Sequence, residues 1–122
     1  MSGIDFVADT NILVFLLSGN KNIKQYEGNH FGISIITEIE LLGWYKMTKE
    51  QKQVIKGLMR ELTIFPLNER IKEATIHLKQ NQKIKTPDAI IAATSQWLRI
   101  PLLTADKDFK HIEDLDAIVL DI

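Results

Sequence analysis

Four acidic residues, Asp9, Glu40, Asp88 and Asp106, stand where carboxylates could do chemistry. Asp9 closes the apolar run Ile4–Ala8. Glu40 falls in a helix-patterned stretch just after the short run Phe31–Ser34. Asp88 follows Thr86–Pro87, a strong helix start, and Asp106 follows the run Leu102–Thr104. They come from well-separated parts of the chain, so what unites them is the place each takes in the order of elements. Carboxylates gathered in one cleft repel unless they are protonated or neutralised by a cation. An all-oxygen donor set suits a hard divalent ion, Mg²⁺ or Mn²⁺. Each acid also has a purely structural explanation. Asp9 suits a helix cap, Glu40 completes a capping box with Thr37, Asp88 complements a helix dipole, and Asp106 and Asp108 suit a turn.

The elements that must position these acids alternate. Ile4–Ala8, Phe31–Ser34, Thr63–Pro66, Leu102–Thr104 and Ala117–Leu120 read as short strands. Between them, Asn11–Leu17 reads as a nearly all-apolar helix, either buried or at an interface. A second helix, capped by Ser34 or Thr37, runs to about Tyr45. Lys49–Leu62 is amphipathic, with Val54, Ile55, Leu58, Met59 and Leu62 on its apolar face. Asn68 caps a helix over Glu69–Gln80. Pro87–Leu98 begins with Thr86 at N-cap and Pro87 at N1, is apolar on most sides, and is expected to be central with Trp97 in the core. Ser18–His30 is polar, contains Gly19 and Gly28, and reads as a loop. This alternation predicts one α/β domain over residues 1–122, with a central, mostly parallel sheet flanked by helices on both faces. In such sheets the ligand site lies at the carboxyl ends of the strands.

Composition narrows the options. The chain has 122 residues with no cysteine, which removes disulfide scaffolds, thiolate zinc sites and cysteine nucleophiles. The formal net charge is -1, so contact with a nucleic acid would have to come from a local basic patch. The helical stripe Lys49, Lys52, Lys56 and Arg60 is the first candidate, followed by Lys79, Lys83 and Lys85; the alternative is a solvated helix face. Bases could stack on Trp44 or Tyr45, although a core or interface role suits Trp44 better. His30, His77 and His111 have no metal-ligand spacing, and no phosphate-binding glycine loop is present. No apolar run approaches the roughly 20 residues that span a bilayer, and the N-terminus has acids where a secretory signal carries basic residues. The expectation is a cytoplasmic protein without a membrane partner.

Four blocks carry a resemblance: VADTNIL at 7–13, SIITEIELLGW at 34–44, TPDAIIAATS at 86–95 and LLTADKDF at 102–109. In this order and spacing the chain resembles a PIN domain, in particular the VapC-type ribonuclease toxins of toxin–antitoxin pairs. The resemblance implies a PIN-like fold and Mg²⁺- or Mn²⁺-dependent hydrolysis of RNA phosphodiester bonds, with one or two ions. It implies Asp9, Glu40, Asp88 and Asp106 as catalytic and metal-binding residues, with Asp106 preferred to Asp108 as the fourth acid. Asn11 and Thr104 match supporting polar positions. It also implies a cognate antitoxin and a homodimer as partners. The alternative is a PIN-fold module that binds RNA or protein without catalysis; the presence of all four acids argues against it.

Overall fold

The structure, a computed structural model, describes residues 3–122; Met1 and Ser2, at the head of the stretch read as lacking a leader, lie outside it. Five strands, β1 (Phe6–Ala8), β2 (Phe31–Ser34), β3 (Thr63–Phe65), β4 (Leu102–Thr104) and β5 (Ala117–Val119), form one sheet in the order β3-β2-β1-β4-β5. Each of its pairings is parallel, so the sheet of the described residues is wholly rather than mostly parallel. The register sets Val7 of β1 beside Gly32 on one flank and Leu102 on the other. A Cβ on Gly32 would meet the Phe65 ring at 2.7 Å, so this central position needs a residue without a side chain.

Among the described residues, five α-helices cover the sheet: α1 (Thr10–Ser18), α2 (Ile35–Leu42), α3 (Lys49–Met59), α4 (Glu69–Asn81) and α5 (Thr86–Leu98). Successive strand residues point to opposite faces. Val7 and Leu102 therefore enter a core with Ile71 and Leu78 of α4 and the buried run Ala89–Ser95 of α5. Ala8, Ile33 and Leu103 enter the other core, with Ile12 and Leu13 of α1, Leu41 of α2 and Met59 of α3.

The chain runs outward from β1 through β2 to β3, then returns to the other side of β1 to lay down β4 and β5. The direction of winding thus reverses between β1 and β4. In a parallel sheet that reversal opens a crevice at the carboxyl ends of the two strands. Asp9 follows β1 directly, and Asp106 follows β4 after one intervening residue.

Several local expectations are corrected. Lys85, not Thr86, is the N-cap of α5, it makes no side-chain capping bond, and Thr86 and Pro87 are already helical. Asp88 remains in the first turn, one position further in than expected. Trp97 is 41% exposed, not core, because it lies in the last turn past the run Ala89–Ser95. Val54 is also exposed, since Ile55, Leu58, Met59 and Leu62 already form the inward stripe of α3. The expected loop between α1 and β2 contains a 3-10 turn over Lys21–Tyr26. That turn buries Ile23 and sets Tyr26 edge-on to Phe6, with ring centroids 5.4 Å apart. On α2 the cap is Ser34, and Thr37 is buried inside the helix, so no capping box explains Glu40.

Candidate active site

Asp9 is the most enclosed of the acids, 6% exposed. One carboxylate oxygen accepts from Ile12 N at 3.0 Å and caps α1. The other accepts the hydroxyl of Thr104, itself fully buried at the end of β4. Thr104 Oγ1 in turn accepts the amide of Asp106 at 3.0 Å. One side chain therefore links the acid after β1 to the backbone carrying the acid after β4. Burial pushes the Asp9 carboxyl above its ordinary pKa; the bonds from Thr104 and Ile12 oppose that rise, and the charges of Asp106 and Asp88 add to it.

Asp88 is half-buried at the start of α5. Its pKa is also raised, first by burial, then by Asp106 and Glu40, with a smaller contribution from Asp108; Lys85 opposes them. The four acids therefore lie in one electrostatic neighbourhood. Asp106 raises both Asp9 and Asp88, whereas Asp108 is among the causes of the rise at Asp88 and not at Asp9. Glu40 is exposed on α2 and accepts the hydroxyl of Thr10 at 2.6 Å. Thr10 Oγ1 also lies 3.4 Å from Thr37 Oγ1. Sequence reasoning missed Thr10; its signal was the position next to Asp9, at the start of the helix facing α2.

A cleft of about 510 Å³ opens beside these groups, lined by two segments of chain. Residues 82–88 contribute Gln82, Lys83, Lys85 and Asp88, and residues 106–112 contribute Asp106 and Asp108. The acids do not converge on a single point. Among the described residues, no three acidic or histidine side chains are close enough together to hold one ion. The bonds above explain this spread: Asp9 is turned toward Thr104 and Ile12, Glu40 toward Thr10, and Asp106 accepts the amide of Asp108 at 2.9 Å.

Other expected residues fall elsewhere. Asn11 is exposed on α1. Lys49, Lys52, Lys56 and Arg60 form an exposed face along α3 and its end, and none lines the cleft. The cations on the cleft are Lys83 and Lys85, which the sequence had ranked second. Tyr45 is 87% exposed, and Trp44 is also exposed rather than core.

The sequence matches the PIN domain family over residues 6–115. The chain belongs to the PIN domain family. A chain of a toxin–antitoxin complex from Klebsiella pneumoniae is 34% identical, with 94% of this chain and 97% of that one aligned at a TM-score of 0.80. Two VapBC structures share the fold at lower identity. VapBC2 from Rickettsia felis, bound to a promoter DNA fragment, is 22% identical over 97% of this chain and 100% of that chain, with a TM-score of 0.80. VapBC-1 from nontypeable Haemophilus influenzae is 24% identical over 95% and 98% of the two chains, also at 0.80. No curated protein matches. The fold of this PIN domain is thus one shared with chains of toxin–antitoxin complexes. No helix among its described residues is long and apolar enough to cross a membrane.

Proposed function

We propose that this PIN domain is a divalent-metal-dependent endoribonuclease, the toxin of a toxin–antitoxin pair. The observation that carries the reading is the Asp9–Thr104–Asp106 link at the β1/β4 crevice, with Asp88 close enough to feel both acids. The donor chemistry fits a hard divalent ion: four carboxylates and no nitrogen or sulfur donor. Asp9, Asp88 and Asp106 would hold one or two Mg²⁺ or Mn²⁺ ions, with Glu40 as a further ligand or as the base for the attacking water. Bound there, such an ion supplies positive charge to the phosphate oxygens and lowers the pKa of a water. Thr104 fixes the orientation of Asp9, and Thr10 holds Glu40 in reserve at the rim.

A module without catalysis would have no use for Asp9 in this setting, since a neutral cap residue in its place avoids burying a charge. The proposed partners are RNA, a cognate antitoxin and a second copy of the chain. The apolar side chains that α1 and α2 leave exposed, Val14, Leu17 and Ile39, together with Trp44 and Tyr45, support a protein partner. The test uses the purified chain freed of any partner. It should cleave RNA with Mg²⁺ or Mn²⁺ and stop in EDTA. Asp9→Asn and Asp88→Asn should each lower cleavage by more than the roughly 100-fold typical of losing an outer support of a metal site. Circular dichroism should show both variants folded. Undiminished cleavage in both variants overturns the assignment.

A further inference from the structure

The segment between α4 and α5 is short, but it is fixed along its length. The amide of Gln82 donates to Leu78 O at 3.1 Å, and Lys85 O accepts from Ala89 N at 2.9 Å, so both ends are tied to helices. In the middle, Ile84 packs against the core, and its carbonyl accepts Lys79 Nζ at 2.9 Å. Lys83 and Lys85 flank this anchored residue, and both line the cleft. Their Cα atoms are no more than about 7 Å apart, comparable with the step between neighbouring phosphates on a strand. They are the only cations among the residues lining the cleft, against the carboxylates of Asp88, Asp106 and Asp108. Of the side chains lining the cleft, the acids repel an entering polyanion and these two lysines attract it.

We infer that Lys83 and Lys85 form a backbone-phosphate rail for the nucleic-acid strand and position it beside the acids. The inference rests on the nuclease reading. The rail recognises phosphates rather than bases, since two flexible ammonium groups carry charge but no pattern of base-edge contacts. Lys79 is its brace: it clips the backbone at Ile84 and is not among the residues lining the cleft. The long basic face of α3 then serves as a solvated surface, not as the strand's track.

The experiment measures fluorescence anisotropy of a random-sequence single-stranded RNA 20-mer pool in Mg²⁺. The protein carries Asp9→Asn throughout, to prevent cleavage. Adding Lys83→Glu with Lys85→Glu should weaken binding roughly tenfold, and the slope of log affinity against log salt should become shallower by about 1.4. Lys83→Arg with Lys85→Arg should keep both quantities. Lys21→Glu with Lys24→Glu, the same charge change on the 3-10 turn, which does not line the cleft, should leave both unaltered. Unchanged affinity and slope in the 83/85 reversal overturn the rail, even where the otherwise native enzyme cleaves RNA with metal. A loss on reversing Lys49 and Lys56 with none at 83 and 85 also overturns it, and assigns the contact to α3. Failure of the Asp9→Asn protein to bind the pool overturns the rail too. Absence of metal-dependent cleavage by the native chain counts against the nuclease reading separately.

Discussion

Asp9 and Asp106 leave adjacent strands and are joined through Thr104, whereas Glu40 and Asp88 project from two helices with no such link between them. The strand-held half takes its positions from the β1/β4 ladder, whose register is fixed by main-chain bonds. The helix-held half depends on how α2 and α5 pack and on where single side chains point. Glu40 is exposed and bonded to Thr10, and Asp88 is half-buried beside a lysine. The difference separates a preset floor from an adjustable rim. Losses in the floor should therefore damage both fold and function, while changes in the rim should damage function alone.

The sharpest way to break this comparison is Thr104→Val. It removes a donor from buried Asp9 and an acceptor from the Asp106 amide at once. Cleavage should fall about 10–100-fold, as for an outer support of a metal site. Stability should fall by about 1–3 kcal/mol, because the carboxylate stays buried without its partner. Thr104→Ser should restore most of both. Kinetics and urea melts measure the two effects; full activity in the valine variant would remove Thr104 from the floor.

Thr10→Val probes the rim. It frees Glu40 from its 2.6 Å bond, so stability should change by no more than about 1 kcal/mol, the range of one partly exposed hydrogen bond. Mg²⁺-dependent cleavage should change by several-fold, measured at subsaturating metal. A stability loss as large as that of Thr104→Val would show that floor and rim are one unit.

The smallest effect is on pH and melting. The pKa values of Asp9 and Asp88 are raised in the fold, chiefly by burial. The folded state then binds more protons than the unfolded chain. Their contribution is fully present below the unfolded value near 4 and is lost as pH rises through the raised folded values. In EDTA at neutral pH, Asp88→Asn should raise the melting temperature by roughly 1–3 °C. The variant should also show a smaller upward shift on adding Mg²⁺, which binds the folded chain. A lower melting point with an unchanged Mg²⁺ shift would make Asp88 a helix-dipole residue only.

Where two levels of pattern agreed, the sequence was readable. Phe31–Ser34 and Leu102–Thr104 are strands as expected, since apolar runs of this length bounded by polar residues suit a buried parallel sheet. Strand order was not legible, because pairing depends on crossovers that leave no local mark. The 3-10 turn escaped because one buried residue, Ile23, makes no period. The start of α5 was misplaced by one residue because Thr–Pro resembles cap and first turn wherever it falls, and only main-chain geometry decides. The candidate acids were singled out by position: Asp9 and Asp106 after strands, Asp88 in a first helical turn and Glu40 in the helix after β2. Thr10 escaped notice and the lysine pair ranked behind the α3 stripe, since what each does depends on what lies across from it.

The hydrogen bond from Thr104 to Asp9 closes a sequence separation of 95 residues. Contacts that distant form late, because the entropy of closing so long a loop is lost before the pairing returns anything. During synthesis from the N-terminus, β1 and its acid emerge long before β4 exists. A nascent or truncated chain lacking residue 104 has Asp9 without its donor, and has neither Asp106 nor the second wall of the cleft. The order of strands thus delays assembly of the proposed catalytic centre until β4 and the segment after it have been made. A fragment left by interrupted translation should be inert toward RNA.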